Sequence, residues 1–381
     1  MVNSPAKARI LTSYYRPKPG GFCRRLFQTI EALLADGHTV HYLSVVPFPI
    51  QHPQCVHHRF PWPVSKTRGL WFWGVFHLIA PFILLYLAIR YRINYSFAFG
   101  HTYGLLLQLT RIVRRVPICV FLRADVIETH RLMNYPKWLI GLDGFLEGLA
   151  LHGTRTYCVS DTLAQRVRRS RRFSRPRVIT VLPNALPKLA TVTFGSRPTT
   201  LPLRFTSAGI LEERKNLAML IEIMAAFRPD QAHLNIYGVG PLEKQLADLV
   251  KTLGTEKQIS FRGWSDDIQA IWNSSDLLLF PSRHEGSPNV VLEALAAGIA
   301  VLASDIPEHR EILPQSSLLP LDDIQRWVEK LKQIVAEPVP RLATLRNQQR
   351  ERAARFCFDW GKTMVDAVLE TNTQAQRNEQ C

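Results

Sequence analysis

The chain has 381 residues, of which 46% are apolar and 20% are charged. This length is too great for one ordinary globular core, and this apolar content excludes a disordered chain, so we expect two domains. The formal net charge of +16 indicates an acidic partner, such as phosphate groups or an anionic membrane surface.

The first predicted elements form a βαβ unit. An apolar run over residues 8–15 predicts a strand, and a loop rich in proline and glycine follows at residues 16–21. Residues 22–36 have the apolar spacing of a helix, and residues 39–46 predict the second strand. This order indicates a parallel sheet.

Residues 70–89 form an uncharged apolar segment that is long enough to cross a membrane. A crossing would place strands of one sheet on opposite sides of the membrane, which argues against it. We favour a helix in the membrane interface, with Trp71, Trp73 and Tyr86 at headgroup depth. A helix buried in the first domain remains the alternative.

The first half of the chain is strongly basic. Its first 190 residues hold 26 basic and 7 acidic side chains, whereas the remainder holds 21 and 24. Seven arginines lie within twelve residues, at Arg166, Arg168, Arg169, Arg171, Arg172, Arg175 and Arg177. Membrane phosphates and a solvated face are equally good interpretations of this run. We expect no nucleic acid, because the run has few aromatic residues and the second half is acidic.

The predicted strands continue in both halves. In the first half they fall at residues 95–99, 117–122, 156–159 and 178–182, and after a linker over residues 187–202 at 203–208, 233–237, 259–262, 276–280 and 299–303. Helical patterns lie between them. The expected fold class is α/β, with two Rossmann-like doubly wound domains that face a central cleft, where ligands bind at the carboxyl ends of the strands.

The cysteines and the N-terminus indicate a cytoplasmic protein. The cysteines show neither a CxxC pair nor zinc-finger spacing, so we expect reduced thiols at Cys23, Cys55, Cys119, Cys158, Cys357 and Cys381. Residues 1–9 hold no apolar signal-peptide core, so we expect no export. Together with the apolar segment, this predicts peripheral association with the cytoplasmic membrane.

The most informative stretch runs over residues 276–311. A buried strand ends near Pro281, a loop carries Glu285 and Gly286, and a helix is expected to begin near Ser287 and Pro288, with the serine as N-cap. Free backbone N–H groups at that helix start would attract phosphate oxygens, and Gly286 lets a ligand come close.

The spacing Glu285-x7-Glu293, flanked by EGSPN and EALAAG, resembles retaining glycosyltransferases of family 4, which have the GT-B fold. Other motifs follow in the order of that family: Gly20-Gly21, Asp36-Gly37-His38, Val159-Ser160, Leu182-Pro183-Asn184, Lys215-Asn216 and Tyr237-Gly238-Val239-Gly240-Pro241. The resemblance covers nearly the whole length. It implies a nucleotide-sugar donor and transfer with retained anomeric configuration.

The resemblance also implies roles for the second-domain residues. Glu285 would face the donor sugar hydroxyls and Glu293 the ribose hydroxyls, with the amides of Asn289 and Val290 near the sugar and phosphate. A carboxylate can accept two hydroxyl hydrogen bonds at once. The alternative for Glu293 is that it only offsets the helix dipole. The remaining donor-site residues are Gly209, Gly238, Gly240, Gly286, Ser287 and Pro288.

Lys215 resembles the family lysine that neutralises the departing diphosphate, which lowers the barrier to bond cleavage. The family usually places an arginine directly after the strand glycine, but here Gly209 is followed by Ile210. Arg214 is a substitute, although its position next to Lys215 is expected to point it in a different direction.

In the first domain, Gly20 and Gly21 would bring backbone N–H groups toward the diphosphate, or they form an ordinary tight turn. Many family members carry a histidine after the strand at 117–122, and here Arg123 and Asp125 take that place. Asp125 would orient an acceptor hydroxyl or cap a helix. His101 would line the same cleft or serve a structural role.

We expect no metal, because no Asp-x-Asp motif of the kind that holds a divalent ion in other sugar-transfer folds is evident at a strand end. The adjacent pairs Asp266-Asp267 and Asp322-Asp323 look like helix starts instead. Residues 352–369 resemble the closing helix that braces the first domain, and residues 371–381 look frayed. The predicted boundaries are residues 1–186 for the acceptor- and membrane-facing domain, 187–202 for the linker, 203–350 for the donor-binding domain and 351–370 for the closing helix.

These features predict a metal-independent glycosyltransferase that moves a sugar, of hexosyl or N-acetylhexosaminyl type, from a nucleoside-diphosphate sugar to a lipid-linked or cell-surface polysaccharide acceptor. The catalytic candidates are Glu285, Lys215, Asp125, Arg123 and His101. Two alternatives remain: a catalytically impaired nucleotide-sugar-binding or scaffold protein, and a nucleotide-sugar 2-epimerase of the same fold. A Rossmann dehydrogenase is disfavoured, since no GxGxxG follows the first strand.

Overall fold

The structure is a computed structural model that describes residues 7–18, 20–67, 69–170, 175–188 and 200–369. The predictions for the N-terminus, for Arg171 and Arg172, for most of the linker, for Cys381 and for the frayed tail lie outside these residues. The chain divides into two compact units, Met1–Pro183 with Asp359–Cys381, and Asn184–Phe358.

The first unit is built on a seven-stranded parallel sheet. In chain order its strands are β1 (Arg9–Ser13), β2 (Thr39–Ser44), β3 (Cys55–Arg59), β4 (Tyr95–Phe99), β5 (Ile118–Leu122), β6 (Arg155–Cys158) and β7 (Val178–Val181). Their order across the sheet is β3-β2-β1-β4-β5-β6-β7. The order reverses between β1 and β4, and this switch point is where open α/β sheets bind ligands.

Seven helices belong to this described unit: α1 (Gly21–Ala35), α2 (Leu70–Arg90), α3 (His101–Arg114), α4 (Val126–Leu132), α5 (Lys137–Leu151), α6 (Asp161–Arg169) and, from the end of the chain, α14 (Trp360–Leu369). The α14 helix packs on α1. A Cβ atom at Gly361 would lie 3.1 Å from the Cβ of Ala32, so the glycine permits this close approach.

The second unit has a six-stranded parallel sheet with the order β10-β9-β8-β11-β12-β13. Its strands are β8 (Leu203–Ala208), β9 (Ala232–Tyr237), β10 (Ile259–Gly263), β11 (Leu277–Phe280), β12 (Ala300–Ser304) and β13 (Leu318–Leu319). Its helices are α7 (Leu217–Met224), α8 (Glu243–Thr252), α9 (Ile268–Asn273), α10 (Asn289–Ala296), α11 (Pro307–Ile312), α12 (Ile324–Ala336) and α13 (Pro338–Ala353). Separate apolar clusters containing the fully buried Trp327 and Trp272 pack in this unit.

Two doubly wound α/β domains are therefore confirmed. The sequence prediction missed β3 and β13. The β3 strand, CVHHR, is a polar edge strand paired only with β2, and β13 has only two residues. Neither has the apolar run on which strand prediction depends.

The apolar helix α2 has two different faces. One face is buried and includes Phe72, Phe76, Ala80, Leu84 and Leu87, whereas Leu70, Trp71, Leu78, Phe82 and Tyr86 are exposed. The helix is long and apolar enough to cross a membrane, and a third of its most apolar 18-residue stretch is buried. Trp73 differs from the exposed Trp71 and Tyr86, because its ring is half-buried with its centroid 5.0 Å from that of Tyr15.

A single closing helix over 352–369 is also wrong. The α13 helix ends at Ala353, a 3-10 turn follows at Ala354–Phe356, and α14 begins only at Trp360. The Asp359 side chain accepts a hydrogen bond from the backbone N–H of Lys362 at 3.0 Å, which favours a new helix start at this point.

Candidate active site

The site in the second unit begins with two loops that touch each other at glycines. Gly209 follows β8 and Gly238 follows β9, with φ angles of +150° and +134°. A Cβ atom at Gly238 would lie 1.8 Å from the carbonyl oxygen of Gly209, and one at Gly240 would lie 2.4 Å from that of Leu211. A side chain at Gly238 or at Gly240 would collide with the neighbouring loop, so glycine is needed at both positions to bring the loops together.

The β8 loop leads into a 3-10 turn, Glu213–Lys215, whose cations converge on one carboxylate. Nζ of Lys215 lies 2.6 Å from Oε1 of Glu285, and an Nη of Arg214 lies 3.1 Å from Oε2. The Nε of Arg214 also pairs with Glu212 at 2.6 Å. Arg214 and Lys215 therefore act on the same group, and the expectation that Arg214 points elsewhere is wrong.

Glu285 and Lys215 are buried, at 7% and 8% relative exposure. Burial alone would raise the pKa of Glu285, but the charges of Lys215 and Arg214 outweigh it and lower this pKa to about 2. The carboxylate is therefore ionised at neutral pH. The Lys215 ammonium also lies 4.6 Å from the ring centroid of Phe280, which adds a cation–π contact.

The loop that carries Glu285 is held by contacts within the second unit. The amide nitrogen Nδ2 of Asn184 donates to the carbonyl of Ser287 at 3.0 Å, and the backbone N–H of Arg283 donates to the carbonyl of Arg214 at 2.8 Å. The LPN motif that the sequence singled out thus positions this loop through Asn184.

The predicted serine N-cap of the next helix is wrong. The α10 helix begins at Asn289 with Pro288 in the N-cap position, and the Ser287 hydroxyl makes no hydrogen bond to a described residue. Pro288 has extended backbone angles, φ −69° and ψ 106°, so the helix starts one residue later than expected and Ser287 lies outside the N-cap position. Val290 follows in the first turn, and Glu293 lies half-buried one turn later.

Sequence reasoning missed a second polar group beside Glu285. His284 pairs with Glu308 at 3.3 Å, and Nδ1 of His309 donates to the Ser304 carbonyl at 2.7 Å. Burial lowers the pKa of His309, which favours the neutral ring. The available signal was that both His-Glu and Glu-His dipeptides closely follow neighbouring strands, β11 and β12.

In the first unit, Asp125 does cap a helix. Its side chain accepts a hydrogen bond from the Glu128 N–H at 2.9 Å and pairs with the Nε of Arg166 at 2.6 Å. Arg166 also makes a bidentate pair with Glu147, at 2.7 and 2.9 Å. The arginine run is thus not wholly a solvated face. Its first member fixes Asp125.

His101 is the first residue of α3 and is buried. Burial lowers its pKa, against the opposing charges of Glu147 and Asp143. Gly20 precedes α1 with a φ of +123°, and Gly21 is the first helical residue. A Cβ atom at Gly20 would meet nothing within 4 Å, so space beside this helix start is open.

The aspartate pairs have structural roles. Asp267 caps α9 by accepting from Ala270, and Asp323 caps α12 by accepting from Arg326. In the described part of the chain, no group of three or more His, Cys, Asp or Glu side chains is arranged to hold a metal ion.

Comparison with known proteins supports one family. Residues 202–337 match the family Glycosyl transferases group 1. Over 166 residues the chain is 30% identical to N-acetylgalactosamine-N,N'-diacetylbacillosaminyl-diphospho-undecaprenol 4-alpha-N-acetylgalactosaminyltransferase of Campylobacter jejuni, covering 42% of this chain and 44% of that protein. The chain spans less than half the length of the first curated relatives that it matches.

Solved structures share the fold over nearly the whole chain. Sucrose-phosphate synthase from Thermosynechococcus elongatus superposes with a TM-score of 0.77 at 18% identity, over 94% of this chain and 96% of that one. Anabaena HepE, in a complex with UDP-glucose, superposes with a TM-score of 0.72 at 15% identity, over 95% and 98%. At these identities the likeness shows the fold alone.

Proposed function

We propose that this chain is a glycosyltransferase that moves a sugar from a nucleoside-diphosphate sugar to a lipid-linked or cell-surface polysaccharide acceptor. One observation carries the proposal: Glu285 is buried with Lys215 and Arg214 on its two oxygens, beside the glycine loops of the segment that matches group 1 glycosyltransferases. Two relatives are named for transfer to diphospho-undecaprenol-linked sugars.

The diphosphate of the proposed donor replaces Glu285 as the acceptor for the two cations of this cluster. The diphosphate takes hydrogen bonds from Lys215 and Arg214, and Glu285 is then released to accept hydrogen bonds from sugar hydroxyls. The backbone N–H groups of Asn289 and Val290 at the start of α10 add donors for phosphate oxygens. Glu293 binds the ribose hydroxyls. These cations replace a metal ion, so we propose metal-independent transfer.

The proposed reaction retains the anomeric configuration and belongs to family 4. As the glycosidic bond breaks, the electron pair moves to the leaving diphosphate oxygen, and Lys215 stabilises that charge. The acceptor hydroxyl attacks from the same face and passes its proton to the leaving phosphate oxygen. This route needs no separate protein base.

An impaired, purely binding protein is the main rival, because Ile210 stands where the family usually has an arginine. Ile210 is 45% exposed in the loop after Gly209. Arg214 supports the catalytic proposal instead, since its guanidinium already reaches the Glu285 carboxylate. Product formation that depends on Glu285 separates the two functions.

We also propose peripheral association with the cytoplasmic membrane through α2. Its exposed aromatic and aliphatic side chains suit the membrane interface, and the basic first half of the chain suits anionic lipids. This places the first unit beside a lipid-linked acceptor.

The test is thermal unfolding with UDP, GDP, ADP and dTDP in turn. One nucleotide should raise the midpoint of thermal unfolding, because a ligand at 100 times its dissociation constant adds about 2.7 kcal/mol to the free energy of unfolding. Glu293→Ala should lose that shift, and Glu329→Ala, an exposed control on α12, should keep it. No shift with any nucleotide at millimolar concentration would contradict the donor site.

A further inference from the structure

Two guanidinium groups in the first unit share one indole ring. Arg123 follows β5, Arg25 lies in α1, and Trp360 begins α14. The Cζ atoms of Arg123 and Arg25 lie 5.0 and 4.8 Å from the Trp360 ring centroid. Phe99, the last residue of β4, lies 5.9 Å from the Arg123 guanidinium. The cluster therefore stands at the carboxyl ends of β4 and β5, next to the switch point between β1 and β4.

Arg123 is half-buried and lacks an anionic partner in the described part of the chain. One Nη donates to the Leu182 carbonyl at 3.3 Å, but the other Nη is buried without a hydrogen bond. Among the described residues it makes no ion pair. The Trp360 indole N–H is likewise buried without a partner. Burial, together with the charge of Arg25, lowers the pKa of Arg123 to about 9, so it remains a cation at neutral pH.

Other arginines of the same unit show how a structural arginine is satisfied. Arg166 has Glu147 and Asp125, and Arg155 donates to the carbonyls of Ala367 and Val368 at 2.9 and 3.0 Å. A buried guanidinium nitrogen without an acceptor is unfavourable, and no carboxylate of the described residues offsets the charge of Arg123, so this arrangement indicates a ligand that supplies the missing acceptor.

We propose that Arg123, Arg25 and the Trp360 indole N–H form an oxyanion site in the first unit that binds the diphosphate of a lipid-linked acceptor. The ligand class is a diphosphate, because the unpaired donors and two cations suit phosphate oxygens. The acceptor is its source, since Lys215 and Arg214 of the second unit already serve the donor diphosphate. This assignment of the acceptor rests on the proposed function.

The test measures binding by calorimetry, which requires no transfer activity. Geranyl diphosphate represents the acceptor, and UDP represents the donor. Arg123→Gln and Arg25→Gln should each weaken geranyl diphosphate binding at least tenfold and leave UDP binding unchanged. Lys215→Gln should do the reverse. Arg228→Gln, an exposed control, should change neither.

Each other outcome overturns the proposal. Unchanged geranyl diphosphate affinity in Arg123→Gln removes the site, as does absence of binding to the unsubstituted protein at millimolar concentration. Loss of UDP binding in Arg123→Gln, with UDP competing for the same site, assigns the cluster to the donor. Failure of UDP to bind at all overturns the donor site and, with it, the assignment of the Arg123 cluster to the acceptor, even where geranyl diphosphate binds through Arg123.

The midpoint of thermal unfolding distinguishes a ligand-binding role of Arg123 from a purely structural role. Arg123→Gln should keep or raise the midpoint of thermal unfolding, because it removes a cation that has no anionic partner among the described residues. Arg166→Gln should lower the midpoint, because it leaves Glu147 and Asp125 unpaired. A lowered midpoint in Arg123→Gln with unchanged binding marks Arg123 as structural. If that variant does not fold, Arg123→Lys, which keeps the charge without the fork, replaces it and should still weaken binding.

Discussion

Nζ of Lys215 lies 2.6 Å from Oε1 of Glu285, although 70 residues separate them in the chain. Both side chains are buried, and Arg214 holds the other carboxylate oxygen. With Glu212, which also pairs with Arg214, these groups form one charge network in which Glu285 is the shared carboxylate. Removing any one leaves the remaining charges buried without full compensation.

Glu285→Gln should therefore reduce both stability and transfer. It keeps the side-chain volume but removes the ion pair of the buried Lys215 and one of the two carboxylates that Arg214 contacts, so the free energy of unfolding at neutral pH should fall by about 3–5 kcal/mol. Transfer should fall by about 100-fold or more, because the amide has one acceptor oxygen in place of two and carries no negative charge for the sugar hydroxyls to bind. Denaturant unfolding and product assays measure the two effects.

A double variant separates stability from chemistry. Lys215→Met combined with Glu285→Gln should be more stable than Glu285→Gln alone, while transfer stays low. Glu329→Gln on the surface of α12 should change stability by less than about 0.5 kcal/mol. Full transfer by Glu285→Gln would remove this carboxylate from the reaction.

Gly238→Ala should disrupt the second unit. Its Cβ would lie 1.8 Å from the Gly209 carbonyl oxygen, so the two loops must separate. Gly254→Ala is the matched control, because Gly254 also has a positive φ, +65°, but has open space around it. The control should cost about 1 kcal/mol, and Gly238→Ala clearly more, with loss of nucleotide binding. Equal unfolding midpoints for the two variants would contradict the steric argument.

The sequence predicts most of the fold because buried parallel strands read as short apolar runs. Predicted strands at 95–99 and 203–208 coincide with β4 and β8. The β3 strand is different. His57 stacks on Tyr42 at 4.9 Å, and His58 on His41 at 5.3 Å, so ring contacts across β2 accompany a segment with no apolar alternation. Such contacts exist only after the strands pair.

The sequence identifies the members of the candidate site better than their partners. Lys215, Arg214 and Glu285 stand out from the motifs, but their convergence requires β8 to pair with β11, which no local pattern specifies. The approach of Trp360 to Arg25 and Arg123 depends likewise on α14 packing against α1. Spacing along the chain carries no information about either contact.

Stability should fall as the pH drops below about 6.5, because of His41. Burial, then the charges of His58 and Arg9, lower the pKa of His41 from 6.5 to about 4 in the folded chain. The unfolded chain therefore binds a proton that the folded chain does not between these values, which favours unfolding. The stability is fully present above pH 6.5 and is lost toward pH 4.

Denaturant unfolding at pH 7.0 and pH 4.5 measures this effect. His41→Asn should reduce the pH-dependent loss by about 2 kcal/mol. His152→Asn, at an exposed position, serves as control, since it leaves His41 in place and should retain the loss of stability that His41 causes. The same pH dependence in His41→Asn as in the unsubstituted protein would contradict the argument.

The outer face of α2 should bind anionic membranes. Phe82 is 62% exposed on a helix whose opposite face is buried, so its substitution by aspartate removes apolar surface without disturbing the core. Phe82→Asp should lose binding to phosphatidylglycerol vesicles in a co-sedimentation assay. Its thermal unfolding midpoint should stay close to that of the unsubstituted protein. Val339→Asp, on the exposed face of α13, should retain binding.

Lipid charge and salt separate the two contributions to this membrane binding. The protein should bind phosphatidylcholine vesicles more weakly, because their surface has no net negative charge to attract a protein with a net charge of +16. Added salt should weaken binding to phosphatidylglycerol vesicles, because it screens this attraction. The binding that remains at high salt comes from insertion of Phe82 and its apolar neighbours into the membrane interface. If Phe82→Asp sediments as well as the unsubstituted protein, charge alone accounts for binding, and the exposed face of α2 has another role.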